Sequence, residues 1–259
     1  MALEDLERRE PWRRIVFPLD VPAESEARRW VEELAGCVGV FKVGLELFLR
    51  CGPGIIAWIR ERKAGGVFLD LKLHDIPHTV GRAMRAIAES GARWATVHCG
   101  ENPAMLRAAV EGAAGRVGVL AVTVLTSVSS EHLRQAGFKT PWAENPERLV
   151  LERARRAREA GCAGVVCSGR EAASVRRAIP RPFLIVTPGI RPAGAGGAPA
   201  DDQVRVVSAS AAVVAGADYL VIGRPIRQAP DPRAAARGIA AEIAAAEAGA
   251  RRAPTAHQG

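Results

Sequence analysis

Lysine is scarce in this chain. Its 259 residues hold four lysines (Lys42, Lys63, Lys72 and Lys139) against 32 arginines. A chain that uses arginine for generic positive charge has no compositional reason to keep a lysine. Lysine is a compact charge whose pKa moves far enough to donate or accept a proton. Two of the four, Lys42 and Lys72, stand at the ends of apolar runs. That placement marks them as candidates for chemistry.

Other absences narrow the field. There is one tyrosine, and no basic tract is interleaved with aromatics. The net charge of +8 comes from arginines scattered along helix-like stretches, such as Arg153, Arg155, Arg156 and Arg158. That pattern describes a solvated surface, not a nucleic-acid-binding face. No apolar run approaches the roughly 20 residues of a membrane span. The stretch MALEDLERREPWRR lacks the apolar centre of a secretion signal. The five cysteines form no C-x-x-C pair. An odd number so spaced fits reduced thiols better than a disulfide framework or a zinc site. The expectation is a cytoplasmic protein with neither membrane nor nucleic acid as partner.

What the chain does have is alternation. Short apolar runs occur at Ile15–Asp20, Gly39–Val43, Val67–Lys72, Trp94–His98, Val117–Leu125, Gly164–Cys167, Phe183–Thr187 and Tyr219–Ile222. Amphipathic segments rich in Ala, Glu, Arg and Leu lie between them, and a last one starts at Pro232 and ends near Ala248. Nearly continuous apolar runs suit parallel strands covered by helices on both faces. Eight strands, each followed by a helix, predict an α/β fold of one domain, the (β/α)8 TIM barrel, which typically takes about 250 residues. A doubly wound open sheet is the alternative, but no G-x-G-x-x-G follows the first strand. The expected organisation is a poorly ordered extension over 1–12, the barrel over 13–248 and a poorly ordered tail over 249–259.

Barrels of this kind build chemistry at the C-terminal ends of their strands. Asp20, Lys42, Asp70 with Lys72, and His98 end the first four runs. Thr126 and Ser127, Ser168, Arg191, and Gly223 with Arg224 follow the last four. In LDLKLHD, residues 69–75, alternation puts Asp70 and Lys72 on one face and Leu69 and Leu71 on the other. Asp75 falls on the loop beyond. A buried ion pair kept only for stability is a poor explanation, because desolvation offsets its attraction. His74, His78 and His98 invite a metal assignment, but Pro77 argues against one helix carrying His74 and His78. No metal is expected.

Two more segments stand out. TPGIRPAGAGGAPADDQ, residues 187–203, is a long glycine-rich loop of the kind that is functional or disordered. IGRP, residues 222–225, places Arg224 directly after Gly223. The loops after strands seven and eight are the usual phosphate site of such barrels. Arg191, Gln203, Gly223 and Arg224 are therefore the expected phosphate grip.

The run DLKLHDIPHTV at 70–80 resembles the signature of the orotidine 5′-phosphate decarboxylase family. The resemblance extends to PLD at 18–20, FKVG at 41–44, VTVLTS at 122–127, GVVCS at 164–168, VTPGIRP at 186–192 and VIGRP at 221–225. The D-x-K-x-x-D core is shared with relatives of other activity, whereas GIRP, Gln203 and IGRP are more specific. One departure is VSA at 207–209, where many relatives carry Thr-Pro. It is expected to affect only a helix cap.

The resemblance implies decarboxylation of orotidine 5′-phosphate to uridine 5′-phosphate, with no metal and no organic cofactor. It implies Lys72 as the acid, in a Lys–Asp–Lys–Asp chain with Lys42, Asp70 and Asp75. Asp20, Lys42 and Thr79 would hold the ribose, and Thr126, helped by Ser127, the pyrimidine. It further implies a homodimer with shared active sites, in which Asp75 and Thr79 reach into the partner's site. The alternatives are a Mg²⁺-dependent 3-keto-sugar-phosphate decarboxylase or hexulose-phosphate synthase, and a catalytically silent phosphate-ligand-binding barrel. Relatives of the first kind tend to carry an acid where this chain has Lys42.

Overall fold

The computed structural model describes residues 10–62, 64–100, 102–191 and 206–252. Eight parallel strands close a barrel in sequence order. They are β1 (Ile15–Pro18), β2 (Val40–Gly44), β3 (Gly66–Leu73), β4 (Trp94–His98), β5 (Gly118–Val122), β6 (Gly164–Val166), β7 (Leu184–Thr187) and β8 (Tyr219–Val221). Each of the eight apolar runs became a strand, and the expected (β/α)8 barrel is the observed fold.

The helices are α1 (Glu24–Leu34), α2 (Leu45–Cys51), α3 (Gly54–Glu61), α4 (Pro77–Ser90), α5 (Pro103–Ala113) and α6 (Ser130–Gln135). They continue with α7 (Thr140–Ala143), α8 (Pro146–Glu159), α9 (Ala172–Ala178), α10 (Ala209–Val214), α11 (Arg224–Arg227) and α12 (Pro232–Arg252). Helix α4 starts at Pro77, because proline is well suited to a first helical turn whose N–H groups have no partner. The one- and two-turn helices α2, α6, α7 and α11 are too short to show a period in sequence. Helix α12 runs past the expected end at Ala248 to Arg252. Ser208 caps α10 by accepting from the N–H of Ala211, so the cap survives the absence of Thr-Pro. Residues 1–9 and 253–259 of the expected extension and tail lie outside the described residues, and Pro11–Arg14 form a 3-10 turn at the barrel base.

Two apolar layers form. The strands' outward side chains pack under the helices, while Val16, Val40, Phe68, Trp94, Leu120, Leu184, Val186 and Tyr219 fill the barrel. The lower interior is aromatic. Phe68 and Trp94 meet edge-on at 6.1 Å, and Trp94 and Tyr219 at 4.5 Å. Arg93 lies over the Trp94 ring at 4.2 Å and donates to the Tyr219 hydroxyl at 2.9 Å. Fully burying one such side chain is worth about 2–3 kcal/mol. No helix among the described residues is long and apolar enough to cross a membrane.

Helices α4 and α5 pack closely because Gly81 and Gly112 face each other; a Cβ on Gly112 would stand 2.3 Å from the Gly81 carbonyl oxygen. Relief requires one helix to shift, and α4 carries Thr79. Gly112→Ala is expected to lower stability by about 1–3 kcal/mol, measured as a shift of the urea midpoint at unchanged slope.

Candidate active site

Strand β3 builds the centre of the site, and it does so by breaking its own regularity. Its pairing with β4 shifts register between Leu69 and Leu73. Lys72 sits there with a φ of 51°, an uncommon conformation for a residue with a side chain. The freed Lys72 N–H donates to the hydroxyl of Thr96 at 2.9 Å. That hydroxyl donates in turn to Asp70 Oδ1, also at 2.9 Å. Thr96 thus ties the backbone of one key residue to the side chain of the other. The expected shared face of Asp70 and Lys72 is real, but a bulge and Thr96 secure it, not plain alternation.

Asp70 Oδ2 then receives two ammonium groups. Lys72 Nζ lies at 2.8 Å and Lys42 Nζ at 3.4 Å. Lys42 also reaches Asp20 Oδ1 at 3.1 Å. The Lys42 and Asp70 side chains are each 11% exposed, whereas Lys72 is 38% exposed and faces the opening. Burial opposes charge on Lys42, but Asp70 and then Asp20 outweigh it and hold its pKa above the ordinary 10.5. Burial likewise opposes charge on Asp70. The ammoniums of Lys42 and Lys72, with hydrogen bonds from Lys72 and Thr96, hold it below the ordinary 3.8. Lys42 and Asp70 are therefore both charged at neutral pH.

A cavity of about 670 Å³ opens above the cluster. Asp20, Lys42, Asp70 and Lys72 line one side, Thr126 and Ser127 the rim after β5, and Arg191, Gly223 and Arg224 the side after β7 and β8. Nine of the twelve residues expected at the site thus surround one space. Gly223 is required by close approach: a Cβ there would meet Pro18 Cγ at 2.8 Å. The base of the long loop is zipped by Arg191 N–H to the Val207 carbonyl and Val207 N–H to the Gly189 carbonyl. Gln203 lies outside the described residues.

Asp75 and Thr79 are exposed and do not line this cavity. Asp75 accepts from the N–H of Ile76 at 2.6 Å and forms no ion pair with another described residue. On the far side of the lysines is a second concavity, lined by Lys42, Leu45, Asp70, Lys72 and His98. Leu45, Leu49 and Ile76 expose 56%, 75% and 65% of their surface. The His98 ring lies tilted against that of His74 at 5.5 Å, and burial, then His74 and Lys72, lower its pKa, leaving it neutral at pH 7. Ser168 accepts from the N–H of Arg170 in a local turn and does not line the cavity.

Among the described residues no three His, Cys, Asp or Glu side chains gather into a potential metal site. The two carboxylates facing each other, Asp20 and Asp70, hold the Lys42 ammonium between them. Among the lining residues that were not expected, three are noteworthy. Cys167 ends the β6 run, Leu125 follows β5, and Arg227 lies one turn after Arg224. Thr96 was not expected either, although its parity with Asp70's inward face was a usable signal.

Residues 13–239 match the model of the Orotidine 5'-phosphate decarboxylase / HUMPS family. The chain belongs to that family. It is 50% identical over 243 residues to the orotidine 5'-phosphate decarboxylase of Desulfosudis oleivorans, covering 93% of this chain and 97% of that protein. Identity to the protein of the same name from Anaeromyxobacter dehalogenans is 49% over 233 residues, covering 90% and 99%. The crystal structure of orotidine 5'-phosphate decarboxylase from Lactobacillus acidophilus superposes with a TM-score of 0.76 at 32% identity, covering 88% of this chain and 98% of that one. A member of this family with full barrel coverage makes the charged cluster at the strand ends its catalytic candidate.

Removing the Asp70 charge leaves two ammoniums facing each other. Asp70→Asn is expected to cost about 2 kcal/mol at pH 7, less than a fully buried broken pair because Lys72 is partly solvated. Because the folded pKa of Asp70 is depressed, its contribution is complete above the ordinary 3.8 and is lost as pH falls through the lower folded value. Urea titrations of both proteins should show a constant gap at neutral pH that narrows only below pH 3.8.

Proposed function

We propose that this protein decarboxylates orotidine 5′-phosphate to uridine 5′-phosphate and CO₂, without metal or organic cofactor, as a cytoplasmic homodimer. The observation that carries the reading is the Asp70 carboxylate held between the Lys42 and Lys72 ammoniums at the lip of a cavity whose other side holds Arg191 and Arg224.

Breaking the bond from C6 to the carboxylate leaves its electron pair on a ring carbon that delocalises it poorly. A cation beside C6 stabilises that charge, and a proton from the same group quenches it. Lys72 fills both roles, its ammonium held 2.8 Å from the Asp70 carboxylate. Lys72 then recovers its proton from water. Asp20 and Lys42 hold the ribose, Thr126 and Ser127 the pyrimidine, and Arg191, Gly223 and Arg224 the phosphate, with Gln203 from the long loop. Charge-assisted bonds to the phosphate supply binding energy far from the reacting carbon.

In the dimer, Asp75 and Thr79 enter the partner's site through the second concavity. Their exposure, the open flank of Lys72 and the uncovered Leu45, Leu49 and Ile76 support this. Asp75 would then complete the alternation of charges from the other subunit. Five free cysteines support a reducing compartment. The Mg²⁺-dependent alternative is disfavoured by Lys42, whose ammonium stands between the carboxylates a cation would need.

The deciding assay is the absorbance loss of orotidine 5′-phosphate with and without EDTA. Turnover is expected in both; loss of activity in chelator would favour the metal-dependent relatives. Lys72→Ala should abolish turnover while the protein stays folded and binds uridine 5′-phosphate. Arg224→Ala should raise KM about tenfold to a hundredfold, the worth of one hydrogen bond between charged groups. Mixing Asp70→Ala with Asp75→Ala subunits should restore activity, and proven heterodimers without recovery would remove Asp75 from the partner's site.

A further inference from the structure

We infer that Arg227 is a positioning residue that ties the phosphate end of the cavity to the seat of Lys42; the inference rests on the function proposed above. Helix α11 is a single turn that begins with Arg224 and ends with Arg227. Its Ile226 is completely buried, and the N–H groups of Ile226 and Arg227 both close onto the Gly223 carbonyl, at 3.0 and 2.9 Å. The turn is therefore rigid, and displacement of Arg224 displaces Arg227.

Arg227 reaches away from its own turn. Its Nη1 donates to the main-chain carbonyl of Asp20 at 2.6 Å. The carboxylate of that same residue accepts from Lys42 at 3.1 Å. Lys42 continues to Asp70, and Asp70 to Lys72, at 3.4 and 2.8 Å. A second contact joins the same two segments, since Gly223 leaves no space for a Cβ beside Pro18, two residues before Asp20. The end of β1 and the loop after it are thus held to Gly223 and α11 at two points, one of packing and one of polar contact. A serine or lysine at position 227 would leave the Asp20 carbonyl less firmly held, because the guanidinium presents its donors in a fixed plane.

The consequence is a mechanical link. A phosphate drawn against Arg224 settles α11, α11 fixes the Asp20 carbonyl, and a fixed Asp20 sets where Lys42 stands against Asp70. Arg227 also lines the cavity, so the competing role is that of a simple phosphate ligand. The two roles separate in kinetics. A phosphate ligand acts on binding, whereas a positioning residue acts on the chemical step.

The test is Arg227→Met, which keeps much of the aliphatic stem, beside Arg227→Lys, which keeps a charged donor group without the planar fork. For Met, kcat on orotidine 5′-phosphate is expected to fall about tenfold, the order of one charge-assisted bond, with Kd for uridine 5′-phosphate changed less than about threefold. Arg227→Lys should recover part of kcat. A raised Kd with unchanged kcat, or no change in either, overturns the inference. A second readout does not need turnover. Acylation of Lys42 in the ligand-free protein, quantified by peptide mass spectrometry against the exposed Lys139, should quicken about threefold or more in Arg227→Met as its seat loosens. An unchanged Lys42 rate overturns the inference even if wild type fails to turn over, an outcome that would separately refute the proposed function. Should the Met variant not fold, both readouts are taken on Arg227→Lys, where an unchanged kcat and an unchanged Lys42 rate together overturn it.

Discussion

Asp70 Oδ2 accepts from two ammonium groups, and much of the site's architecture follows from what that demands. Two cations brought toward one buried point repel each other, and each loses hydration on leaving water. Only a fully ionised carboxylate between them makes the arrangement tolerable. The carboxylate must itself be held, because a rotating Asp70 would release one lysine. Thr96 does the holding at Oδ1, leaving Oδ2 to the ammoniums. Asp20 balances the far side of Lys42. The count is then two cations and two anions within one chain, with Lys72 the least enclosed of the four groups apart from Asp20.

That balance explains the irregular backbone of β3. A regular strand would give the Lys72 N–H to a β4 carbonyl and leave Thr96 without that role. The bulge turns the N–H onto Thr96 and aims the lysine stem past Asp70 into the opening. A positive φ on a lysine is strained, and strain of this kind persists where surrounding structure fixes it. Here the fixing bonds run from the Lys72 N–H through Thr96 to the carboxylate that its own ammonium meets.

The fold was legible because its signal is repeated. Eight apolar runs gave eight strands, and Trp94–His98 matched residue for residue. The ionic cluster was legible because lysine is scarce enough for Lys42 and Lys72 to stand out. Other parts carried no such contrast. Arg227 is one of many arginines, and nothing in its surroundings distinguishes it until α11 folds back on Asp20. Thr96 is a single hydroxyl inside a strand; its inward parity was readable, but its bond to the Lys72 N–H depends on a register shift that alternation does not foresee. Ser168 failed in the opposite way, since its position after a strand suggested a cavity residue but its hydroxyl serves a local turn. Asp75 stood out as a second carboxylate near Lys72, and Thr79 only through resemblance; among the described residues neither joins the ionic cluster.

The aromatic layer at the base of the barrel has a bearing on traffic. Phe68, Trp94 and Tyr219, sealed from below by Arg93, turn the barrel into a cup with a solid floor. In the proposed reaction, a small gas molecule released beside Lys72 would have no drain beneath it. It would leave upward or sideways past the lysines, so the order of departures would be governed at the rim and not at the barrel floor.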